Sequence, residues 1–155
     1  MGRRDEPISF YTPSFHFLSN FSAFRVVFRN VRYPTVEHAY QANKFIRSSR
    51  KIAVEILNAP SPYEAKRIAR ENKKKMDPNF YNYNLGLMKQ LIVLKVEQNP
   101  YVKDKLLKTQ DALIAERTYD SFWGVGENGQ GRNELGKIWM EIREHLKSNE
   151  KGITY

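Results

Sequence analysis

Three polar side chains recur at helical spacing in the segment Pro34–Phe45, which reads PTVEHAYQANKF. Glu37, Gln41 and Lys44 stand at positions i, i+4 and i+7, so on a helix a carboxylate, an amide and an amine share one narrow face. Such a face can form the reactive wall of a pocket. It is equally typical of a solvated helix surface on which a Glu precedes a Lys. The pattern alone leaves both interpretations open.

The same segment carries the signals of a helix that begins at its N-terminal end. Thr35 follows Pro34 and predicts the N-cap. Glu37 then falls in the first turn, where the positive end of the helix dipole favours an ionised carboxylate. An ionised carboxylate suits the stabilisation of positive charge, or the activation of water, better than proton donation. The opposite side of the helix is predicted to be apolar, with Val36, Ala39, Ala42 and Ile46.

Composition limits the kinds of chemistry available to the chain. Its 155 residues, 41% of them hydrophobic and 13% aromatic, predict one globular domain. The absence of cysteine excludes disulfides, thiolate chemistry and cysteine-based metal sites. The three histidines form no cluster with metal-ligand spacing, so neither a metal nor a cofactor is predicted. No membrane-spanning apolar run and no leader segment is present, which predicts a cytoplasmic protein without membrane contact.

A basic patch accompanies the net charge of +9. It crowds six cations into ten residues: Lys66, Arg67, Arg70, Lys73, Lys74 and Lys75. Such a patch can attract the phosphates of a nucleotide, or make a weak contact with a nucleic-acid backbone. It can also be a solvated helix end. No stacking ladder of aromatic residues interrupts it, so the pattern does not favour nucleic acid.

Hydrophobic periodicity predicts a single α+β domain that is mostly helical, with a small N-terminal β-sheet. Strands are expected at 8–11, 24–28, 31–33 and 113–116, and the second and third form a hairpin around Arg29 and Asn30. Five helices are expected between the third and fourth strands, and one more at 133–147. A capping box opens one helix at Ser61, and Asn99-Pro100 separates two others, the first of them expected at 82–98 with Leu85 in its apolar stripe. The predicted domain spans residues 8–148, between a disordered tail at 1–7 and a C-terminal tail at 149–155.

A glycine-rich loop lies near the C-terminus. Five of the eight glycines fall between Gly124 and Gly136, in the run WGVGENGQGRNELG. A loop of this kind that leads into a helix can present backbone amides to a phosphate or to the edge of a substrate. The alternative is a hairpin-like turn built on Asn128 and Gly129.

Four segments carry a resemblance to a known family. PTVEHAYQANKF resembles the signature helix of the NADAR family of YbiA-like N-glycosidases. Further matches follow in register: FLSNFS at 17–22, ERTYDSFWGVG at 116–126 and GRNELGKIWMEIR at 131–143. Together the resemblance extends from about Ile8 to Leu146. Val36, Tyr33 and Val125 depart from residues common in the family, which leaves the substrate preference open.

The resemblance implies a YbiA-like fold and metal-independent hydrolysis of an N-glycosidic bond. The implied substrates are small ribosylamino-pyrimidine phosphates, intermediates of riboflavin biosynthesis. Some family members instead remove ADP-ribose from guanine, in a nucleotide or in nucleic acid. Both reactions break the bond between ribose C1 and an exocyclic nitrogen, so both need an anion near C1 and a proton for the leaving amine. An alternative of another class is a non-catalytic nucleotide-binding module.

Three residues are the predicted catalytic groups. Glu37 would supply the anion. Lys44 would bind the sugar phosphate or, if burial lowers the pKa of its amine, attack C1 to form an imine. Asp120 would protonate the leaving nitrogen if burial raises its pKa, and otherwise caps the turn before Trp123.

The predicted substrate contacts comprise polar side chains, one aromatic ring and one loop glycine: Asn20, His38, Gln41, Trp123, Gly124 and Asn133. Gln41 would bind ribose hydroxyls, and Trp123 would stack on a base. Each has a structural alternative. His38 can be a hydrogen-bonded structural histidine and Trp123 a core residue. Asn20 and Asn133 can be turn and N-cap residues.

Overall fold

A computed structural model of the chain describes residues 7–10 and 13–150, which form two compact units. One unit comprises residues 20–99, and the other combines the described residues before 20 with those from 100 onwards. The elements in chain order are β1 (Ile8–Ser9), β2 (Val26–Phe28), β3 (Val31–Tyr33), α1 (Val36–Asn43), α2 (Arg50–Leu57), α3 (Pro62–Glu71), α4 (Asn84–Gln98), α5 (Pro100–Lys108), β4 (Ile114–Ala115) and α6 (Glu134–Glu150). Short 3-10 helices lie at Pro13–Leu18, Lys73–Lys75 and Phe80–Asn82. The α+β class and the predominance of helix are confirmed.

The unit of residues 20–99 is built around α1. β2 and β3 pair in antiparallel fashion, and the turn between them places Arg29 and Asn30 at φ values of 50° and 65°. Two successive left-handed residues give the turn twist that suits a two-residue hairpin. Helix α1 packs against α2, α3, α4 and both strands of this hairpin. The helix that carries the predicted reactive face is therefore the central element of its unit.

Side-chain caps fix where two of these helices begin. The hydroxyl of Thr35 accepts a hydrogen bond from the backbone N–H of His38, and that of Ser61 accepts one from the N–H of Glu64. Each cap satisfies an amide that has no partner within its own helix. Both start sites agree with the sequence prediction. The first cap fixes the orientation of α1, and hence the direction in which Glu37 projects.

The other unit places α6 against α5 and β4. The indole of Trp139 is fully buried and donates a hydrogen bond to the backbone carbonyl of Leu18. β1 pairs in parallel with β4, with Ile8 opposite Ile114. The described residues thus hold two two-stranded sheets rather than one N-terminal sheet. This partner of β1 is distant in sequence, and strand patterns do not reveal such pairings.

Several boundaries differ from the prediction. α4 begins at Asn84 rather than at residue 82, and Leu85, expected in its apolar stripe, is 38% exposed. Ile46 lies beyond the end of α1 and is 45% exposed instead of packing beneath it. α6 continues to Glu150, past the predicted start of a tail at residue 149. The tail predicted at 1–7 lies outside the described residues except for Pro7, as do Tyr11 and the remainder of the C-terminal tail. Within the described ranges, no helix is both long and apolar enough to cross a membrane.

Candidate active site

Helix α1 is buried along its whole length, including its polar face. All eight of its residues are buried, with Glu37 only 6% and Gln41 only 5% exposed. The interpretation of this face as solvated is therefore wrong. A buried carboxylate is costly unless the protein compensates it, so the surroundings of Glu37 decide what the face can do.

Glu37 is held at two points. Its backbone N–H donates to the carbonyl of Asn20 at 3.1 Å, and its carboxylate Oε1 accepts a hydrogen bond from Gln41 Nε2 at 2.7 Å. Burial raises the pKa of the Glu37 carboxyl, while the Gln41 bond and the charges of Lys66 and Lys44 oppose that rise. The dipole argument, which favoured the ionised form, is outweighed by desolvation. A carboxyl with a raised pKa can carry a proton as well as a negative charge.

Two buried acceptors beside Glu37 lack hydrogen-bond partners among the described residues. They are Gln41 Oε1 and Asn20 Oδ1. The amide nitrogens of both residues are occupied, that of Gln41 by Glu37 and that of Asn20 by Met88 Sδ at 3.5 Å. An unsatisfied buried acceptor costs roughly 1–3 kcal/mol.

Lys44 follows α1 directly and is half-buried. Its Nζ lies 5.3 Å from the ring centre of Tyr40 and 5.8 Å from that of Phe80, two rings that pack edge to face. Burial lowers the pKa of the Lys44 amine, Glu37 opposes the shift, and Lys66 and Lys73 reinforce it. The condition set for Lys44 as a nucleophile, a pKa lowered by burial, is therefore met.

Three further side chains belong near this face but were not among the predicted site residues. Lys66 on α3 lowers the pKa of Glu37 through its charge, and its Nζ lies 5.9 Å from the centre of the Phe21 ring. Phe21 in turn packs edge to face with Tyr63, at 4.8 Å between centroids. Tyr63 is 72% exposed, so this aromatic pair has an open surface. The spacing of Tyr63 and Lys66, one helical turn apart on α3, was the available sequence signal.

The basic patch does not act as one surface. Arg67 is paired with Glu64 and Glu71, at 2.6 and 2.8 Å. Lys66 and Lys73, by contrast, act electrostatically on Lys44, and Lys66 also acts on Glu37. Part of the patch therefore supplies positive charge to the site on α1.

His38 is a structural residue, which corrects its prediction as a substrate contact. Its Nε2 donates to the carbonyl of Ala59 at 3.0 Å, so its Nδ1 accepts from the Thr35 hydroxyl at 2.8 Å. Both ring nitrogens are used and the side chain is 1% exposed. Burial lowers the pKa of the imidazole, against the effect of the Ala59 bond. The neutral ring clamps the start of α1 to the chain before α3.

Asp120 caps a turn in the other unit. Its Oδ1 accepts hydrogen bonds from the backbone N–H groups of Phe122 and Trp123, at 2.8 and 2.9 Å, and its side chain is exposed. The predicted role as proton donor depended on burial, which is absent, so that prediction is corrected to a capping role. Trp123 is half-buried and packs edge to face with Phe122. Its function in stacking a base stays a prediction.

Several backbone amides of the glycine-rich loop donate hydrogen bonds to carbonyls of the same chain segment. The N–H groups of the four residues 132–135 donate to the carbonyls of residues 121, 124, 122 and 123. Gly124 is buried, and an added Cβ there would lie 2.5 Å from the carbonyl oxygen of Glu116. Gly124 is therefore required by close backbone packing. The amides of residues 132–135 already have partners. That other amides of this loop bind phosphate stays a prediction.

Asn133 fastens β4 to the start of α6. Its Oδ1 accepts from the N–H of Glu116 at 3.0 Å, and its Nδ2 donates to the carbonyl of Ile114 at 2.9 Å. With both ends of the amide engaged, its prediction as a substrate contact is corrected. Its φ of 52° shows that the chain turns sharply here before α6. Searched over the ranges 7–10 and 13–150, the chain holds no group of three His, Asp or Glu side chains arranged to bind a metal.

Comparison with known proteins gives the same assignment as the motifs. The NADAR domain model matches residues 9–147, nearly the whole chain. The chain belongs to the NADAR family. It is 36% identical to the N-glycosidase YbiA of Shigella boydii over 92% of this chain and 90% of that protein. It is also 34% identical to a riboflavin biosynthesis protein of Vibrio vulnificus, of whose length it spans only 40%.

A solved structure of a NADAR relative supports the fold. The NMR structure of the Escherichia coli protein YbiA matches with a TM-score of 0.84 and 32% sequence identity, covering 99% of this chain and 92% of that one. Two departures from common NADAR residues, Tyr33 and Val36, are 2% and 0% exposed. They are core positions of this NADAR domain, so their identity affects packing beneath α1.

Proposed function

We propose that this protein is an N-glycosidase that hydrolyses the C1–N bond of ribosylamino-pyrimidine phosphates, a class of intermediates in riboflavin biosynthesis. The observation that carries the proposal is the buried Glu37 carboxyl, fixed by Gln41 and flanked by the charges of Lys44 and Lys66. The names of its relatives, N-glycosidase and riboflavin biosynthesis protein, support this reaction class.

The chemistry requires a group that stabilises positive charge on the sugar and supplies a proton to the departing amine. Glu37 can do both in sequence, because burial raises its pKa while neighbouring cations hold the ionised form within reach. The protonated carboxyl gives its proton to the exocyclic nitrogen as the C1–N bond breaks. The resulting carboxylate then faces the developing oxocarbenium ion and takes a proton from the attacking water.

The substrate's other groups find matching partners on the same face. Ribose hydroxyls donate to Gln41 Oε1 and Asn20 Oδ1, the two acceptors without partners among the described residues. The phosphate is drawn by the positive charge of Lys44 together with Lys66 and Lys73. A small phosphorylated ribosylamine uses all of these groups at once.

The alternative role of Lys44 in the reaction is that of a nucleophile. Burial lowers the pKa of its amine and so favours the neutral form, which can attack C1 of the ring-opened sugar and expel the pyrimidine amine. The product is an imine between Lys44 and the sugar, and water then releases the aldehyde sugar and regenerates the amine. The simpler role, a cation that holds the phosphate, needs no covalent step.

The test is product analysis by mass spectrometry with two substrates, a ribosylamino-pyrimidine phosphate and an ADP-ribosylated guanine nucleotide. We expect the first to yield ribose phosphate and free aminopyrimidine, and Glu37→Gln to bind this substrate without cleaving it. Glu55→Gln, an exposed carboxylate on α2, is the matched control and should retain activity. Cleavage of the ADP-ribosylated guanine alone would assign the protein to the other NADAR reaction, the removal of ADP-ribose from guanine. Binding of both without cleavage by the intact protein would mark a nucleotide-binding module.

A further inference from the structure

A second concave region of the 20–99 unit lies beside the turn of the β2–β3 hairpin. It consists of two adjoining cavities of about 550 and 460 Å³ along the first half of α4. The cavities share Arg29, Gly86 and Gln90, so they form one cleft. None of Glu37, Gln41 and Lys44 lines it. The volumes fall in the range of small-ligand pockets, and the cleft is open to solvent along much of its surface.

The charges that line the cleft have one sign. Arg29, Arg47 and Lys89 contribute cations, and of the described residues that line either cavity none is acidic. The charges of Arg29 and Arg47 both act to lower the pKa of Tyr83, so both guanidinium groups lie within electrostatic range of its hydroxyl. That hydroxyl donates to Asp77, a buried carboxylate that is not part of the cleft lining. Among the described residues, Asp77 is the one acidic group that acts on the Tyr83 hydroxyl. Its charge offsets part of the positive charge of Arg29 and Arg47.

The two guanidinium groups are held by aromatic rings instead of carboxylates. Arg29 lies 4.9 Å from the centre of the Phe28 ring, and Arg47 lies 5.3 Å from that of Tyr83. Within residues 7–10 and 13–150, neither forms a salt bridge. A guanidinium stacked on a ring keeps its edge N–H groups free to donate, and the fork geometry matches a phosphate.

Gly86 is the most unusual residue of the cleft. It lies inside α4, where glycine costs roughly 0.5–1 kcal/mol relative to alanine. Nothing in its own surroundings requires a glycine, because an added Cβ would meet no atom within 4 Å and its φ is not positive. The missing side chain leaves open space in the lining that Gly86 shares with Arg29, Arg47 and Gln90. Room for a ligand is a physical reason for a glycine here.

We propose that this cleft is a binding site for a small phosphate monoester with a flat ring, of the nucleoside monophosphate class. Arg29 and Arg47 bind the phosphate, and the ring lies over Gly86 in the adjoining cavity. That second cavity is lined by apolar side chains besides its polar ones, namely Phe28, Val93 and Leu94. The site is separate from the Glu37 face, so occupancy there does not require catalysis.

The experiment is an NMR titration of the ¹⁵N-labelled protein with adenosine monophosphate, adenosine and inorganic phosphate. The amide of Gly86 is the local reporter. We expect adenosine monophosphate to shift the Gly86 and Gln90 amides in a saturable way, with at least tenfold weaker binding of either component alone. Raising the salt concentration should weaken binding further, because the contact is ionic.

Two variants test the assignment without depending on each other. Arg29→Gln combined with Arg47→Gln should weaken binding at least tenfold. Arg32→Gln, from the same hairpin but outside the cleft lining, is the matched control. Gly86→Leu places a side chain in this open space and suits a helix, so the variant should fold and lose binding by a similar factor. Shifts confined to α1 and α3, or unchanged binding in Gly86→Leu, would overturn the proposal.

Discussion

Replacing Glu37 with glutamine is expected to reduce activity and increase stability at the same time. Gln has nearly the same shape, and its Oε1 can still accept the bond that Gln41 Nε2 donates to Glu37 at 2.7 Å. The variant loses the negative charge and the proton that the reaction uses. Loss of a general acid–base group lowers kcat by on the order of 10²–10⁴-fold.

The expected gain in stability follows from the direction of the pKa shift. Burial raises the pKa of Glu37 in the folded protein above its unfolded value, so the ionised carboxylate destabilises the fold at neutral pH. Each unit of such a shift is worth about 1.4 kcal/mol. Glu37→Gln removes this cost. As the pH falls through the folded-state pKa towards 4.5, the ordinary pKa of a glutamate carboxyl, wild-type Glu37 becomes protonated and the advantage of the variant shrinks.

Urea unfolding of both proteins between pH 7 and pH 4.5 measures this difference. The other titrating groups are common to both and largely cancel. Glu55→Gln, whose side chain is exposed, should stay within about 0.5 kcal/mol of wild type at every pH. A Glu37→Gln protein that is less stable than wild type at pH 7, or whose gain in unfolding free energy does not change with pH, would contradict this expectation. Either result would show that Glu37 stabilises the fold.

Four other substitutions separate roles within the protein. Gln41→Leu removes a bond that favours ionised Glu37, so the alkaline limb of the kcat–pH profile, where Glu37 loses the proton that it donates, should move to higher pH, with a roughly 10–100-fold loss of kcat. If Lys44 forms an imine, borohydride added during turnover should leave sugar on Lys44, detectable by peptide mass. No labelled peptide from the wild-type enzyme, together with full activity of Lys44→Arg, would leave Lys44 only its electrostatic role. Gly124→Ala should lose about 1–3 kcal/mol of unfolding free energy, because its Cβ would meet a backbone oxygen at 2.5 Å. Gly86→Ala, at a helical position with open space, is its control and should gain about 0.5–1 kcal/mol.

Local signals in the sequence were sufficient to predict the framework of this fold. Thr35 and Ser61 cap the helices that they were expected to cap, and the hairpin turns at Arg29 and Asn30. These features depend on neighbours within four residues, which is the range that periodicity and capping rules cover. The pairing of β1 with β4 depends on residues about a hundred positions apart, and the sequence pattern did not reveal it.

The site was predicted less completely, because burial is a tertiary property. A helical wheel places Glu37, Gln41 and Lys44 on one face but does not show whether water or another helix covers that face. The same limit explains the errors at Asp120 and Asn133. Their residue types suit both a pocket and a turn, and only the hydrogen bonds of the folded chain show that each is occupied by neighbouring backbone.

The buried polar residues of α1 divide into two groups with different physical requirements. His38 and Asn43 satisfy their own hydrogen bonds, His38 through Thr35 and Ala59, and Asn43 through the carbonyl of Ala39 and the side chain of Tyr33.

Glu37 and Gln41 are buried without full compensation of their polar groups. One bears a charge that burial disfavours, and the other has an acceptor without a partner among the described residues. Selection for folding alone would replace such a pair with apolar side chains of similar size, since each unmet group costs roughly 1–3 kcal/mol. A bound sugar supplies both the missing donors and the positive charge in the transition state. The unmet polar groups of this buried face are therefore the strongest physical argument for the proposal that a substrate completes it.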